Sequence, residues 1–423
     1  MLYRTLLLTI ACLLFSTLVS AQLFVEKQTR HRFAQFHFGL DVESSLGGTS
    51  RFLNREGQLS TVDLTSLVRP RLLIGGTHFW GHADFYIAIP VLGGTLEEAN
   101  QEISYLRGVE TVFKYYPWRI QDHKIRPYVG LSIAPFYFEQ KNNKLEFGNG
   151  PEKYHTSFPL LTGMTYTNNS HLFELGFAWN YNNQQEYAIS RTDFATIDTP
   201  PFYLSFSYRY FIDTTISAEE SWESGRMQEV TRQLEEKNKL NAFYVGVGLS
   251  SAFWLGESSY NETTRPYIES YGISIMPDFT LGYHLHKPDM NIAIGFRGYS
   301  TSTNTYGTIQ SLRRGSLVFE VTKNLFDYNG FVPFIGPAIT YEQLSFEESH
   351  EGQLVHNLSE NQFSYGLTFG WDIRPNRLQS FILRTNLRWF PDLNLEVSDG
   401  QLINFNNLEF NFIQLILYPQ RIF

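Results

Sequence analysis

Along most of this chain, bulky apolar residues fall at every second position. In Ala34-Gln35-Phe36-His37-Phe38-Gly39-Leu40-Asp41-Val42 the large apolar side chains share one parity, and Gln35, His37, Gly39 and Asp41 share the other. The same alternation runs through Phe202-Tyr203-Leu204-Ser205-Phe206-Ser207-Tyr208-Arg209-Tyr210 and Phe243-Tyr244-Val245-Gly246-Val247-Gly248-Leu249. Successive side chains of a strand point to opposite faces, so each segment predicts a β-strand with one apolar face and one polar or small face. A strand of a soluble sandwich alternates too, but two features favour a bilayer. The segments run to about ten residues, the length of a tilted strand that crosses a membrane. Aromatics also gather at segment ends, as Trp118 with Tyr115 and Tyr116, Trp179 with Tyr181, and Trp389 with Phe390. Interfacial girdles produce that placement.

The connections alternate in length. Stretches 43–69, 91–103, 140–156, 182–201, 254–271, 300–314, 347–361 and 392–407 read as long loops on one side. Stretches 81–82, 119–124, 168–171, 287–289, 327–330 and 374–378 read as turns on the other. Long outer loops alternating with short inner turns are the layout of a transmembrane antiparallel β-barrel. The expected fold class is all-β, with eight strands in each half of the chain.

Composition narrows the picture further. Aromatics make up 16% of the 423 residues and charged residues only 18%, below the roughly 25% of soluble domains. The net charge of −9 argues against nucleic-acid binding, and 43% hydrophobic content excludes a mostly disordered chain. Arg4, the apolar run Leu6 to Val19 and Val19-Ser20-Ala21 predict a secretory signal peptide over 1–21, cleaved near Ala21. Cys12, the single cysteine, lies within it, so a disulfide framework is excluded, and lipidation of Cys12 is the rival reading.

The halves resemble each other. Pro127-Tyr128-Val129-Gly130 matches Pro333-Phe334-Ile335-Gly336, and Gly163-Met164-Thr165-Tyr166 matches Gly366-Leu367-Thr368-Phe369. Phe38-Gly39-Leu40 matches Val247-Gly248-Leu249, and Trp179 matches Trp389, all in the same order and at near-constant spacing. The expected organisation is a first eight-stranded unit over 22–212, a charged helical linker over 213–240, and a second eight-stranded unit over 241–423. Ser217 with Glu220 is a capping-box pattern, and Met227, Val230 and Leu234 recur at helical spacing. On the periplasmic side this helix would serve as a solvated connector or as a docking element for a periplasmic partner. Two tandem eight-stranded barrels are the favoured architecture, and one sixteen-stranded barrel, a passive pore, is the alternative. Eight strands close around a side-chain-filled interior, whereas sixteen leave an aqueous channel.

Lys114-Tyr115-Tyr116-Pro117-Trp118, followed by Arg126-Pro127-Tyr128-Val129-Gly130-Leu131-Ser132-Ile133-Ala134, resembles the fourth and fifth strands of the outer-membrane protein beta-barrel domain family, which is related to the OmpA and OmpX barrels. Ser20-Ala21-Gln22 is similar to the signal ends of Bacteroidota-type exported proteins. The second half departs from the pattern at Asn324-Leu325-Phe326, where the family tends to paired tyrosines. The resemblance implies a Gram-negative outer-membrane location, contact with outer-membrane lipid, and recognition by the barrel assembly machinery through the terminal Phe423. It specifies a fold and no particular activity.

Candidate chemistry is sparse. His37, Asp41, Glu110, Lys114, Arg209, Arg297 and Glu320 are expected to point into the barrel interior as structural polar groups, with His37 and Asp41 as a hydrogen-bonded pair. A lipid-modifying enzyme would need a base beside a nucleophile, for which His155 with Ser157 and His350 with Glu347, Glu348 and Glu351 are the candidates. His284 and His286 share a strand face and could ligate a metal. No phosphate-binding glycine loop, nucleotide fingerprint or EF-hand pattern occurs. The expected function is non-enzymatic, without cofactor: a structural or surface-interaction role carried by the outer loops.

Overall fold

The structure, a computed structural model, describes residues 32–46, 49–53, 59–63, 68–91, 94–98, 101–141, 149–213, 225–268, 271–272, 274–328, 330–374 and 380–422. The expected signal peptide with Cys12, the pattern at Ser217 and Glu220, and Phe423 lie outside the described residues.

Eight strands form the first ring: β1 (Ala34–Leu46), β2 (Val68–His78), β3 (Ala83–Pro90), β4 (Glu110–Tyr115), β5 (Lys124–Lys141), β6 (Leu160–Asn168), β7 (His171–Trp179) and β8 (Phe202–Asp213). Each pairs antiparallel with the next, and β8 returns to β1 with Tyr210 opposite Phe38. The second ring repeats the circuit with β9 (Ala242–Trp254), β10 (Ser274–Leu285), β11 (Met290–Thr305), β12 (Thr308–Asn324), β13 (Phe331–His350), β14 (Gln353–Ile373), β15 (Phe381–Trp389) and β16 (Asn407–Leu417). It closes where β16 pairs with β9, Leu415 opposite Val247. Because β8 is taken by β1 and β9 by β16, neither can splice the rings together. The fold is all-β with two eight-stranded rings, and the single sixteen-stranded ring is overturned. Helix α1 (Gly225–Glu236) lies between the two rings in the chain.

Alternation decides which side chains face out. Ile125, Met164, Leu175 and Phe206 on the first ring, and Phe243, Leu281, Phe296 and Tyr365 on the second, are among many large apolar or aromatic side chains left exposed. Their strand neighbours are buried inside. Two aromatics expected in a girdle turn inward: Tyr116 is buried beneath the Arg126 guanidinium, and Phe390 joins the apolar cluster at the outer end of the second ring. Parity marks both: Tyr116 lies two positions beyond buried Lys114, and Phe390 two beyond buried Arg388, so each continues the inward face of its strand.

Seven of the eight expected loops contain strand: short extension strands lie in 43–69, 91–103 and 182–201, and four further stretches are mostly ladder. Residues 300–314 and 347–361 continue the ladders of β11–β12 and β13–β14 to turns at Tyr306-Gly307 and Glu351-Gly352. Both residues of each turn have positive φ (48° and 77°, then 51° and 78°). This is the type I′ geometry whose twist matches the flanking strands. Asp399-Gly400 (45° and 79°) makes the same turn between extension strands Asn394–Ser398 and Gln401–Asn404, inside 392–407. Likewise Asn149–Ser157, which takes up the second half of the expected loop 140–156, pairs with the outer part of β5.

The rings touch along one side. Near the turn end, Phe33, Phe79 and Trp80 pack with Tyr328, Phe331 and Trp371. Midway, the Phe85 ring lies 5.8 Å from those of Trp371 and Phe410. At the outer end, Arg191 donates to the Tyr306 carbonyl at 2.8 Å, and Glu152 accepts from the Asn304 backbone N–H at 2.9 Å.

Candidate functional site

The ring interiors are built from charges. The structure places all seven sequence-derived interior residues inside, each buried. His37 and Asp41 do not bond each other. They lie four residues apart on β1, and each turns elsewhere: Asp41 to the adjacent β2, and His37 past β2 to β3. His37 Nε2 lies 2.8 Å from Asp84 on β3, and Arg71 on β2 grips Asp41 through Nε (2.8 Å) and Nη2 (2.5 Å). Arg71 and Arg107 both reach Glu110, at 2.7 and 2.5 Å. Lys114 and Arg209 share Glu174, Arg209 also bonds Asp84 at 2.5 Å, and the Tyr128 hydroxyl donates to Glu174 at 2.9 Å. Lys114 lies over the faces of Tyr86 and Tyr128.

In the second ring, Arg297 pairs with Glu409, and Arg314 bridges Glu409 and Glu342, each at 2.8 Å. Arg388 joins Glu320 (2.6 Å) to Asp278 (2.5 Å). The counter-ions Asp84, Glu174, Asp278 and Glu409 were missed in the sequence reading, yet parity marks them. In His171–Trp179, Glu174 shares a face with Leu172, Gly176 and Ala178, opposite Phe173, Leu175 and Phe177. Ionised groups this buried persist only when paired and hydrogen-bonded. A void of about 20 Å³ beside Arg71, Lys114 and Glu174 has room for a single water. The paired charges thus fill the ring interiors at the positions named.

The roomier space is outside the rings. A cleft of about 440 Å³ opens where the β5 extension hairpin of the first ring meets the segment after β9. Its walls are Phe136, Lys153, Tyr154 and His155 on one side and Trp254, Glu257, Asn261 and Tyr271 on the other. A second hollow of about 350 Å³ shares Lys153, Gln185, Glu257, Ser258 and Asn261 and adds Glu186 and Glu262. The second-ring wall is braced. Helix α2 (Ser259–Thr264) hangs on buried Glu348, which accepts from the Tyr260 hydroxyl (3.0 Å), Arg265 (2.9 Å) and Gln310 (2.7 Å). Gln310 also donates to Asn261 at 3.0 Å, and Asn261 donates to the Tyr271 hydroxyl at 3.0 Å. Burial, with Lys153 nearby, lowers the His155 pKa to about 4, and its Nε2 has no hydrogen-bond partner. Burial likewise lowers Lys153 and raises Glu152. The cleft is thus lined about equally by aromatic faces and polar groups, which suits recognition of an amphipathic small ligand or side chain.

The catalytic candidates do not assemble. Ser157 donates its hydroxyl to the Ala134 carbonyl at 2.9 Å rather than facing His155. His350 Nδ1 lies 2.7 Å from the Thr308 hydroxyl, its Nε2 is 3.7 Å from Glu351, and Glu348 is committed to Arg265. His284 bonds Asn291 through Nδ1 at 3.0 Å, with its ring centroid 6.3 Å from that of His286. Among the described residues no group of three His, Cys, Asp or Glu is placed to hold a metal.

No family profile matches the chain, and no curated protein matches it. Solved structures similar to it include Neisserial surface protein A (12% identity, TM-score 0.30), aligned over 42% of this chain and 97% of that one. The beta domain of the Bordetella autotransporter BrkA (10%, TM-score 0.22) aligns over 91% and 99%. An outer-membrane channel of Pseudomonas putida F1 (10%, TM-score 0.19) aligns over 93% and 97%. With TM-scores this low, the architecture rests on the chain's own strand pairing: two closed eight-stranded antiparallel rings, filled inside and apolar outside.

Proposed function

We propose that this chain is an integral outer-membrane protein of a Gram-negative cell, a non-enzymatic surface-interaction protein whose two filled barrels hold binding surfaces outside the lipid. The observation that carries it is the inverted distribution of polarity. Charged clusters occupy the interiors, while the outward faces present exposed Phe, Leu, Ile and Val, as at Leu175 (56%), Phe243 (60%) and Leu281 (65%). A water-soluble body rarely exposes so large an apolar surface, whereas hydrocarbon requires one, and closed rings satisfy every ladder hydrogen bond within it. In this reading the apolar segment from Leu6 to Val19 is the export signal, and the outer cleft and hairpin extensions are the working surface. The four matched sequence segments fall on the first, fifth, sixth and seventh strands of both rings, which supports duplication of an eight-stranded unit.

The test is electrophoretic migration of the detergent-purified protein with and without heating, joined to planar-bilayer conductance. Closed filled barrels give a fast-migrating unheated form and no porin-sized steps. A single heat-independent band, or large regular steps, would overturn the reading.

A further inference from the structure

The outer sheet of the second ring is closed at one edge and open at the other. Strands β11 to β14 rise beyond the ring as four paired strands, and β14 pairs with β15 only over Leu367–Ile373. From Gln353 to Gln362 the side of β14 that faces away from β13 has no backbone partner among the described residues. The opposite edge, β11, is guarded: Glu152 of the first ring accepts from the Asn304 N–H and from the Thr303 hydroxyl. Of the other outer edges, Leu59–Asp63, Gly94–Glu98 and Gln184–Ala188 have five residues each, and Asn149–Ser157, with nine, lies against β11 through Glu152. Shortness protects an edge, as do Pro and Lys, yet 353–362 is long and carries neither.

A row of free N–H and C=O groups is complementary to another extended strand, so the partner this edge fits is a polypeptide. Its sequence suits itself. When two copies of Gln353–Gln362 run antiparallel about Leu358, His356 of each lies opposite Glu360 of the other, and Leu358 lies opposite Leu358. His356 and Glu360 sit on one face of β14, four residues apart, with Glu360 exposed and His356 half-buried beside the Tyr260 ring. We propose that this edge joins a second copy of the same chain through an isologous antiparallel strand pair. Direction then dictates placement. Strand β14 runs from the outer tip toward the membrane, and a barrel strand tilts only about 35–45° from the barrel axis. An antiparallel mate therefore descends the opposite way, so the second copy sits in a facing membrane. Beyond the Tyr341–Phe363 aromatic pair the hairpin continues about ten residues, a rise of roughly 30 Å along the strand, enough to meet its mate clear of lipid. Two-fold pairing uses up this edge on both copies, so the contact closes as a pair. The inference names the partner of the surface role proposed above and depends on that outward orientation.

The experiment uses the full chain in phosphatidylcholine vesicles selected for outward-facing hairpins, with clustering followed by light scattering. Wild-type vesicles are expected to cluster. Glu360→Lys should cut clustering at least tenfold, and adding His356→Glu to it should restore clustering by placing Glu opposite Lys. Dispersed wild-type vesicles, an unaffected Glu360→Lys protein, or a double variant that stays dispersed would each overturn the pairing. Heat-modifiable migration of every variant shows separately that the barrels stand, so failure to cluster is distinguishable from failure of the membrane reading.

Discussion

Glu174 shows how much one interior side chain carries. It answers Lys114 and Arg209 and accepts the Tyr128 hydroxyl, so Glu174→Gln leaves two buried cations sharing a neutral amide. Removing one partner of a buried ion pair costs about 3–5 kcal/mol. The expected outcome is a markedly lower midpoint for loss of the fast-migrating form, against little change for Glu186→Gln at the outer rim. His155 behaves differently. Its folded pKa of about 4 lies below the ordinary value near 6.5, so between those pH values the unfolded state binds more protons than the folded one. Stability of the 149–157 hairpin is therefore complete above pH 6.5 and falls as pH drops toward 4. Amide exchange over 149–157 should accelerate across that window in the native protein, and His155→Gln should flatten the dependence. Residue parity was legible throughout: it sends His37, Asp41, Glu110 and Arg209 inside. Partners were not legible, because neighbouring strands come from distant sequence and ring closure sets their register. His37 thus meets Asp84 while Asp41 meets Arg71.

At the scale of elements, the hairpins explain what the loop reading overlooked. Residues 300–314 are polar, yet Ser300-Thr301-Ser302-Thr303 alternates in β-branched threonine, which suits a solvated strand. Tyr306-Gly307, Glu351-Gly352 and Asp399-Gly400 were the overlooked signal, each a non-glycine followed by glycine at a two-residue hairpin turn. A Cβ on Gly352 would meet nothing within 4 Å, so Gly352→Ala isolates the backbone cost of φ +78°. At about 1–2 kcal/mol for a left-handed non-glycine residue, exchange at the tip of β13–β14 should quicken roughly fivefold or more while barrel migration stays unchanged.

For the whole molecule, the question is what keeps two barrels side by side. Apolar faces gain little by leaving lipid for each other, so the Phe85–Trp371 contact supplies packing rather than a hydrophobic drive. The polar contacts at the outer end, Arg191 to Tyr306 and Glu152 to Asn304, lie where water competes but geometry is set by strand edges. When protease nicks α1, the halves are expected to stay together in mild detergent. Glu152→Gln with Arg191→Ala should release them more readily than Trp371→Ala, as read by co-purification through a tag on one half. Sequence periodicity disclosed sixteen crossings but not how they would be partitioned, since ring closure is a contact between strands at opposite ends of a half.

Each hydrogen-bond circuit is completed by strands from its own stretch of polypeptide, with β8 returning to β1 before α1 is reached. A nascent chain halted after residue 213 already possesses every ladder partner of its first cylinder. If the chain enters a membrane as proposed above, it can do so in two rounds, one cylinder sealed before the strands of the next are paired, and sixteen staves need never stand open at once.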